Sequence, residues 1–139
     1  MADFNYILTL ADIGIGLVDL VGDTIKLVLC TAGYTANVST DHYLTAISAG
    51  ARVASVTLTG KSFTNGIFDA DDVTFVAPAS GQTITQAVLY QDASPSSGAR
   101  LIRKISADTV AGFPFTTTGS DVLLAWPNDA NKIFRFVNA

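Results

Sequence analysis

The stretch NGIFDADDVTF, residues 65 to 75, sets three carboxylates, Asp69, Asp71 and Asp72, within four positions of a chain that is only 14% charged. Hard cations such as Ca²⁺ take several oxygens converging on one point, and three aspartates in one turn would supply part of such a shell. The stretch fails as an EF-hand loop. With Asp69 counted first, Val73 stands fifth, Thr74 stands where the loop needs Gly, and Ser80 where it needs a bidentate Glu. Along an extended strand Asp71 and Asp72 point to opposite faces, so both reach one ion only if the backbone turns there. The expectation is a turn or strand bulge with aspartate-to-backbone hydrogen bonds, and no metal site is assigned.

Nucleophilic catalysis needs a base beside the nucleophile and a third group to orient the base. The one histidine, His42, follows Asp41, but neighbours on a helix do not face each other, so the two are not a ready dyad. No Gly-x-Ser-x-Gly elbow is present. One cysteine, Cys30, and one histidine cannot make a structural zinc site within one chain, and Cys30 in TIKLVLC reads as a small buried thiol. All twelve acids are Asp, and nothing in their spacing selects the facing pair a glycosidase needs. GIGLVDLVG holds glycines without a P-loop Lys or the dinucleotide spacing. The expectation is a non-enzyme with no catalytic residue and no cofactor. Trp126, Phe134 and Phe136 could stack on a sugar, but Phe134 and Phe136 share one strand face and read more simply as core or subunit-interface residues.

The elements that would carry these residues are strands. With 139 residues, 49% hydrophobic, the chain can bury one core, and abundant Thr and Val beside helix-poor Asp favour β structure. A net charge of −4 and no basic cluster beyond Arg100, Arg103 and Lys104 argue against nucleic acid as a partner. Asp3, Asp12 and Asp19 break the apolar start, so neither a signal peptide nor a membrane helix is expected. Residues 1–22 form an arm or a first element of undetermined structure, with Gly14 and Gly16 interrupting a partial helical spacing. Residues 23–139 form one domain.

Within that domain DTIKLVLC alternates as a strand with one face on the core. DHYLTAIS predicts a helix of about two turns capped by Ser39 or Thr40. Asn65-Gly66 predicts a type I′ hairpin turn between ARVASVTLTGKSFT and IFDADDVTFVA. TITQAVLYQD, ARLIRKIS, DVLLAWP and KIFRFV complete about eight strands. The predicted fold is all-β, an antiparallel sandwich or jelly-roll-like barrel with one short helix. In DVLLAWP and KIFRFV both faces are apolar, which predicts cover by another subunit.

The chain resembles a family of small structural proteins of tailed bacteriophages. The likeness lies in DTIKLVL (23–29), AGARVA (49–54), LTGK (58–61), DADDVTF (69–75), VLYQD (88–92), RLI (100–102), GFP (112–114) and NDANKIFRF (128–136), an ordered set from about residue 23 to the end. The first twenty residues depart from it, since the family usually begins with a more polar segment. The resemblance implies a non-enzymatic virion component. Within that class a capsid decoration or cement protein is favoured, bound to the major capsid protein outside the shell and to copies of itself, for example as a trimer. A tail or baseplate accessory, including a receptor- or glycan-binding module, is the alternative.

Overall fold

The computed structural model describes residues 3–129 and 132–136. In chain order the elements are β1 (Phe4–Asn5), α1 (Ile7–Gly14), β2 (Ile25–Cys30), β3 (Arg52–Thr57), β4 (Ser62–Thr64), β5 (Ile67–Asp69), β6 (Val73–Phe75), β7 (Thr83–Ile84), β8 (Gln86–Gln91), β9 (Leu101–Ile105), β10 (Phe115–Thr116), β11 (Val122–Leu124) and β12 (Phe134–Arg135). The protein is all-β and antiparallel, with one α-helix among the described residues. One five-stranded sheet runs in the order β1-β9-β8-β2-β3, and three small ribbons accompany it, β10-β7, β11-β6 and β12-β5-β4. Among the described residues no helix is long and apolar enough to cross a membrane.

The five-stranded sheet is covered on both faces. Ile25, Leu27 and Leu29 of β2 and Ala87 and Leu89 of β8 face one cluster, closed by Phe68, Val73, Phe75, Ile84, Leu124, Trp126 and Phe134 from the ribbons. Val28, Cys30, Val88 and Tyr90 face a second cluster, closed by Tyr6, Tyr34, Leu44 and Ile47. The sequence predicts one core face for β2. In the structure the loop of residues 31–51 covers the other face too, which is why β2 and β8 read as nearly continuous apolar runs.

Among the described residues twelve strands stand against the expected eight, because three predicted runs are broken and the two-residue β1 and β10 fall outside the predicted runs. Residues 52–64 divide into β3 and β4, residues 67–75 divide at Ala70–Asp72, and Thr85 separates β7 from β8 by donating its N–H to the Cys30 carbonyl at 3.0 Å. The helix predicted in DHYLTAIS is not there. Only 3₁₀ turns form, at Leu44–Ala46 and Ala49–Ala51. The backbone at 42–44 bonds across the chain instead: Leu101 N–H donates to the His42 carbonyl and Leu44 N–H to the Ala99 carbonyl, both at 2.8 Å, and Tyr43 bridges Arg100. A helix would have to give up those tertiary bonds. Nor do Ser39 and Thr40 cap anything; their N–H groups donate to Asn37 Oδ1 in a local turn.

The α-helix lies in the segment where glycines seemed to interrupt it. It ends in a Schellman motif: Gly16, at φ +83°, donates to the Ile13 carbonyl, and Leu17 donates to the Asp12 carbonyl. Gly14 is the last helical residue and Gly16 the left-handed terminator. Of the first 22 residues, β1 extends the sheet by pairing Phe4 with Lys104 and Asn5 with Arg103, and Tyr6 is fully buried.

The predicted hairpin is present. Asn65 and Gly66 have φ of +54° and +77°, and Thr64 pairs with Ile67 across the two-residue loop. A Cβ on Gly66 would lie 2.7 Å from the Phe136 carbonyl oxygen. Gly66→Ala is therefore expected to cost about 2 kcal/mol through left-handed strain and that clash, while Asn65→Gly stays within about 0.5 kcal/mol. Urea denaturation of the two variants checks the contrast.

Candidate functional site

The acidic stretch is a corner between two ribbons. Asp69 ends β5 opposite Ser62. Asp71 donates its N–H to the Thr59 carbonyl at 2.9 Å, and its carboxylate accepts from the Thr59 hydroxyl at 3.2 Å. Asp72 turns the other way, accepting the Trp126 backbone N–H at 2.9 Å, while the Trp126 indole donates to the Asp71 carbonyl at 3.0 Å. The Asp71 and Asp72 carboxylates diverge onto separate protein donors, and among the described residues no three His, Cys or Asp side chains converge on one point. Trp126 and Phe134 lie in the core, so neither offers a free face to a sugar. Phe136 is partly exposed and packs edge-on against Phe63, 5.6 Å between centroids.

His42 does not pair with Asp41. Its Nε2 lies 2.5 Å from Asp12 Oδ2, on the inner side of α1, and Arg100 Nε donates to the same oxygen at 2.9 Å. Arg100 also donates to Gln91 Oε1 at 3.3 Å, and Gln91 Nε2 donates to the Leu17 carbonyl and to Asp23 Oδ2. One chain of polar contacts thus ties the C-terminal half of α1 and the segment after it to β8 and to the residue before β9. Asp41 instead accepts from the Tyr34 hydroxyl at 2.7 Å, and Tyr6 and Tyr34 share a hydrogen bond of 2.8 Å under the sheet. Nothing in the sequence marks Asp12 or Arg100 as partners, because 88 positions separate them.

A second polar tie holds β1. Lys104, fully buried, stands 3.9 Å from Asp3, which also accepts from the Ser106 hydroxyl. Burial pulls the Lys104 pKa below the usual lysine value, opposed by the Asp3 charge. A cleft of about 280 Å³ nearby is lined by Arg103, Lys132 and Arg135 but also by Asp108 and Asp129, a mixed lining that selects neither sign of ligand.

Two apolar patches face outward. On α1 the inward arc holds Thr9, Asp12 and Ile13, whereas Ile7, Leu8, Leu10, Ala11, Gly14 and Ile15 are exposed, Ile15 at 73%. This inverts the usual helix, whose apolar stripe faces the core. Past its end an open cleft of about 400 Å³ runs between Ile13, Val18, Leu20, Val21 and Phe63. A separate apolar patch lies on the β6-β11 ribbon. Leu123, opposite Thr74, is 66% exposed and Val76 is 79% exposed, beside a groove of about 310 Å³ walled by Phe113 and Phe115.

Compared with known proteins, the chain matches no family model and no curated sequence.

Two outcomes follow from the buried groups. Asp12→Ala should cost about 2–3 kcal/mol, because it leaves Arg100 and His42 facing a partly buried gap, and a double-mutant cycle with Arg100→Ala should show about 1 kcal/mol of coupling. Burial also pushes the Cys30 thiol up to about 12 from 9.0, and burial first, then the Tyr6 hydroxyl and the Asp41 carboxylate, raises the Tyr34 phenol. A pKa raised in the folded state means a contribution fully present below the unfolded value and lost as pH climbs toward the folded one. Stability should therefore fall between pH 9 and about 12, and Cys30→Ala should make that fall shallower in denaturation curves taken across the range.

Proposed function

We propose that this chain is a non-enzymatic structural protein of a tailed-bacteriophage virion, a decoration or cement protein that binds the outer surface of the major capsid shell and stabilises it. The observation that carries this reading is the pair of exposed apolar patches, on α1 and on the β6-β11 ribbon, left by a fold whose polar clusters are engaged in tying its own segments together. A protein that works by contact exposes apolar surface, and one that bridges needs two such surfaces. The ordered likeness to the phage family supplies the virion context. The ribbon patch suits the shell: Thr74, Val76 and Leu123 lie on its outward side and a shallow apolar groove borders them, so a neighbouring subunit's side chain could seat there.

The test is cryo-electron microscopy of the particle with copy number by quantitative mass spectrometry. Density on the icosahedral shell and hundreds of copies are expected. A handful of copies located at the tail would favour the tail or baseplate accessory and end the cement reading. Leu123→Asp should weaken binding to undecorated particles by about tenfold or more, the cost of putting a charge where apolar area is buried, with the thermal midpoint of the free protein unchanged.

A further inference from the structure

We infer that the outward arc of α1 is a self-association surface on which a second copy of this chain packs helix against helix. This deepens the structural-subunit reading by naming the partner of one of its two patches.

The helix is turned the wrong way for a solitary protein. Its inward side carries Thr9, fully buried with an unpartnered hydroxyl, and Asp12, fixed by His42 and Arg100. Its outward side carries six apolar residues and no polar one. The anchors hold it in that rotation, so the apolar arc is part of the folded structure and not a consequence of fraying.

Three observations point to a copy of itself as the occupant. The arc bears no charge, so its own image can face it without like-charge repulsion, although the chain carries −4 overall. Its relief is graded: Ile7, Ala11 and Gly14 share one line of the helix, bulky at the N-terminal end and low toward the C-terminal end between Leu10 on one side and Leu8 and Ile15 on the other, so in an antiparallel pair the Ile7 end of each helix meets the low end of its copy. A Cβ at Gly14 would meet nothing within 4 Å, which confirms the line is open. Size fits as well. Past the helix the apolar surface continues through exposed Leu17, Val21 and Phe63, with Asp19 at its edge, and arc and extension together expose on the order of 500 Å², the scale of a small interface beside the roughly 800 Å² per partner of a standard one. A lipid surface is a poorer match, since it calls for basic residues beside the apolar face and α1 has none in its last turn.

Removing the segment is no test, because Tyr6 and β1 belong to the fold; surface substitutions are. Sedimentation equilibrium of the purified chain up to about 100 µM should show a dimer. Ile15→Asp should yield monomer with an unchanged thermal midpoint. Gly14→Leu adds apolar area in open space, so a merely sticky patch would associate more strongly, whereas close helix packing should weaken by about tenfold or more. A wild-type chain that stays monomeric, or a dimer indifferent to Ile15→Asp or strengthened by Gly14→Leu, overturns the inference. A dimer in solution together with no density on the shell would overturn capsid decoration and leave self-association standing.

Discussion

Everything in this fold follows from a sheet that is apolar on both faces. β2 and β8 place Leu27, Leu29 and Leu89 on one side and Val28, Cys30 and Val88 on the other, all buried. Such a sheet must be covered twice. The three ribbons cover one side, and their short strands wrap it by breaking at corners, one held by the Asp72 carboxylate on Trp126 and one by the Thr85 N–H on the Cys30 carbonyl. The loop of residues 31–51 covers the other, and its core residues, Tyr34, Leu44 and Ile47, determine why that stretch is pinned along β9 and not wound into a helix.

The same double cover limits what is left for α1. Both faces of the sheet are taken by other segments, so the helix lies at the margin, and its rotation is decided by polar contacts. Burying a Leu or Ile contributes about 1.5–3 kcal/mol, so rolling the arc inward would be favoured if there were core to receive it. There is none at that margin, and the Asp12 carboxylate with its two partners sets the rotation instead. The apolar arc is exposed because the core is complete without it.

Local chemistry was legible from the residues; long-range partnership was not. Asn65-Gly66 announced its turn because positive φ at two successive residues is met by few residue pairs, and the aspartates after it announced a break. The all-β class followed from alternation and composition. The α1 helix hid because its periodicity runs outward and because Gly16, a C-terminal stop, resembles an interruption. DHYLTAIS has the local marks of a helix start, yet its backbone donors and acceptors bond residues 99–101, far along the sequence. β10 is two residues long and leaves no pattern to read. The sequence sets His42 beside Asp41, while its partner in the fold, Asp12, stands on a different element.

The distance between Asp12 and Arg100 has a consequence for order in time. During synthesis the residues of α1 exist well before the 88 positions that separate them from Arg100 have been added, and β1 likewise waits for β9. An eight-residue helix is marginal by itself in water. The apolar arc it exposes therefore takes shape only on a chain whose central sheet is already built, which makes that arc a mark that folding has finished.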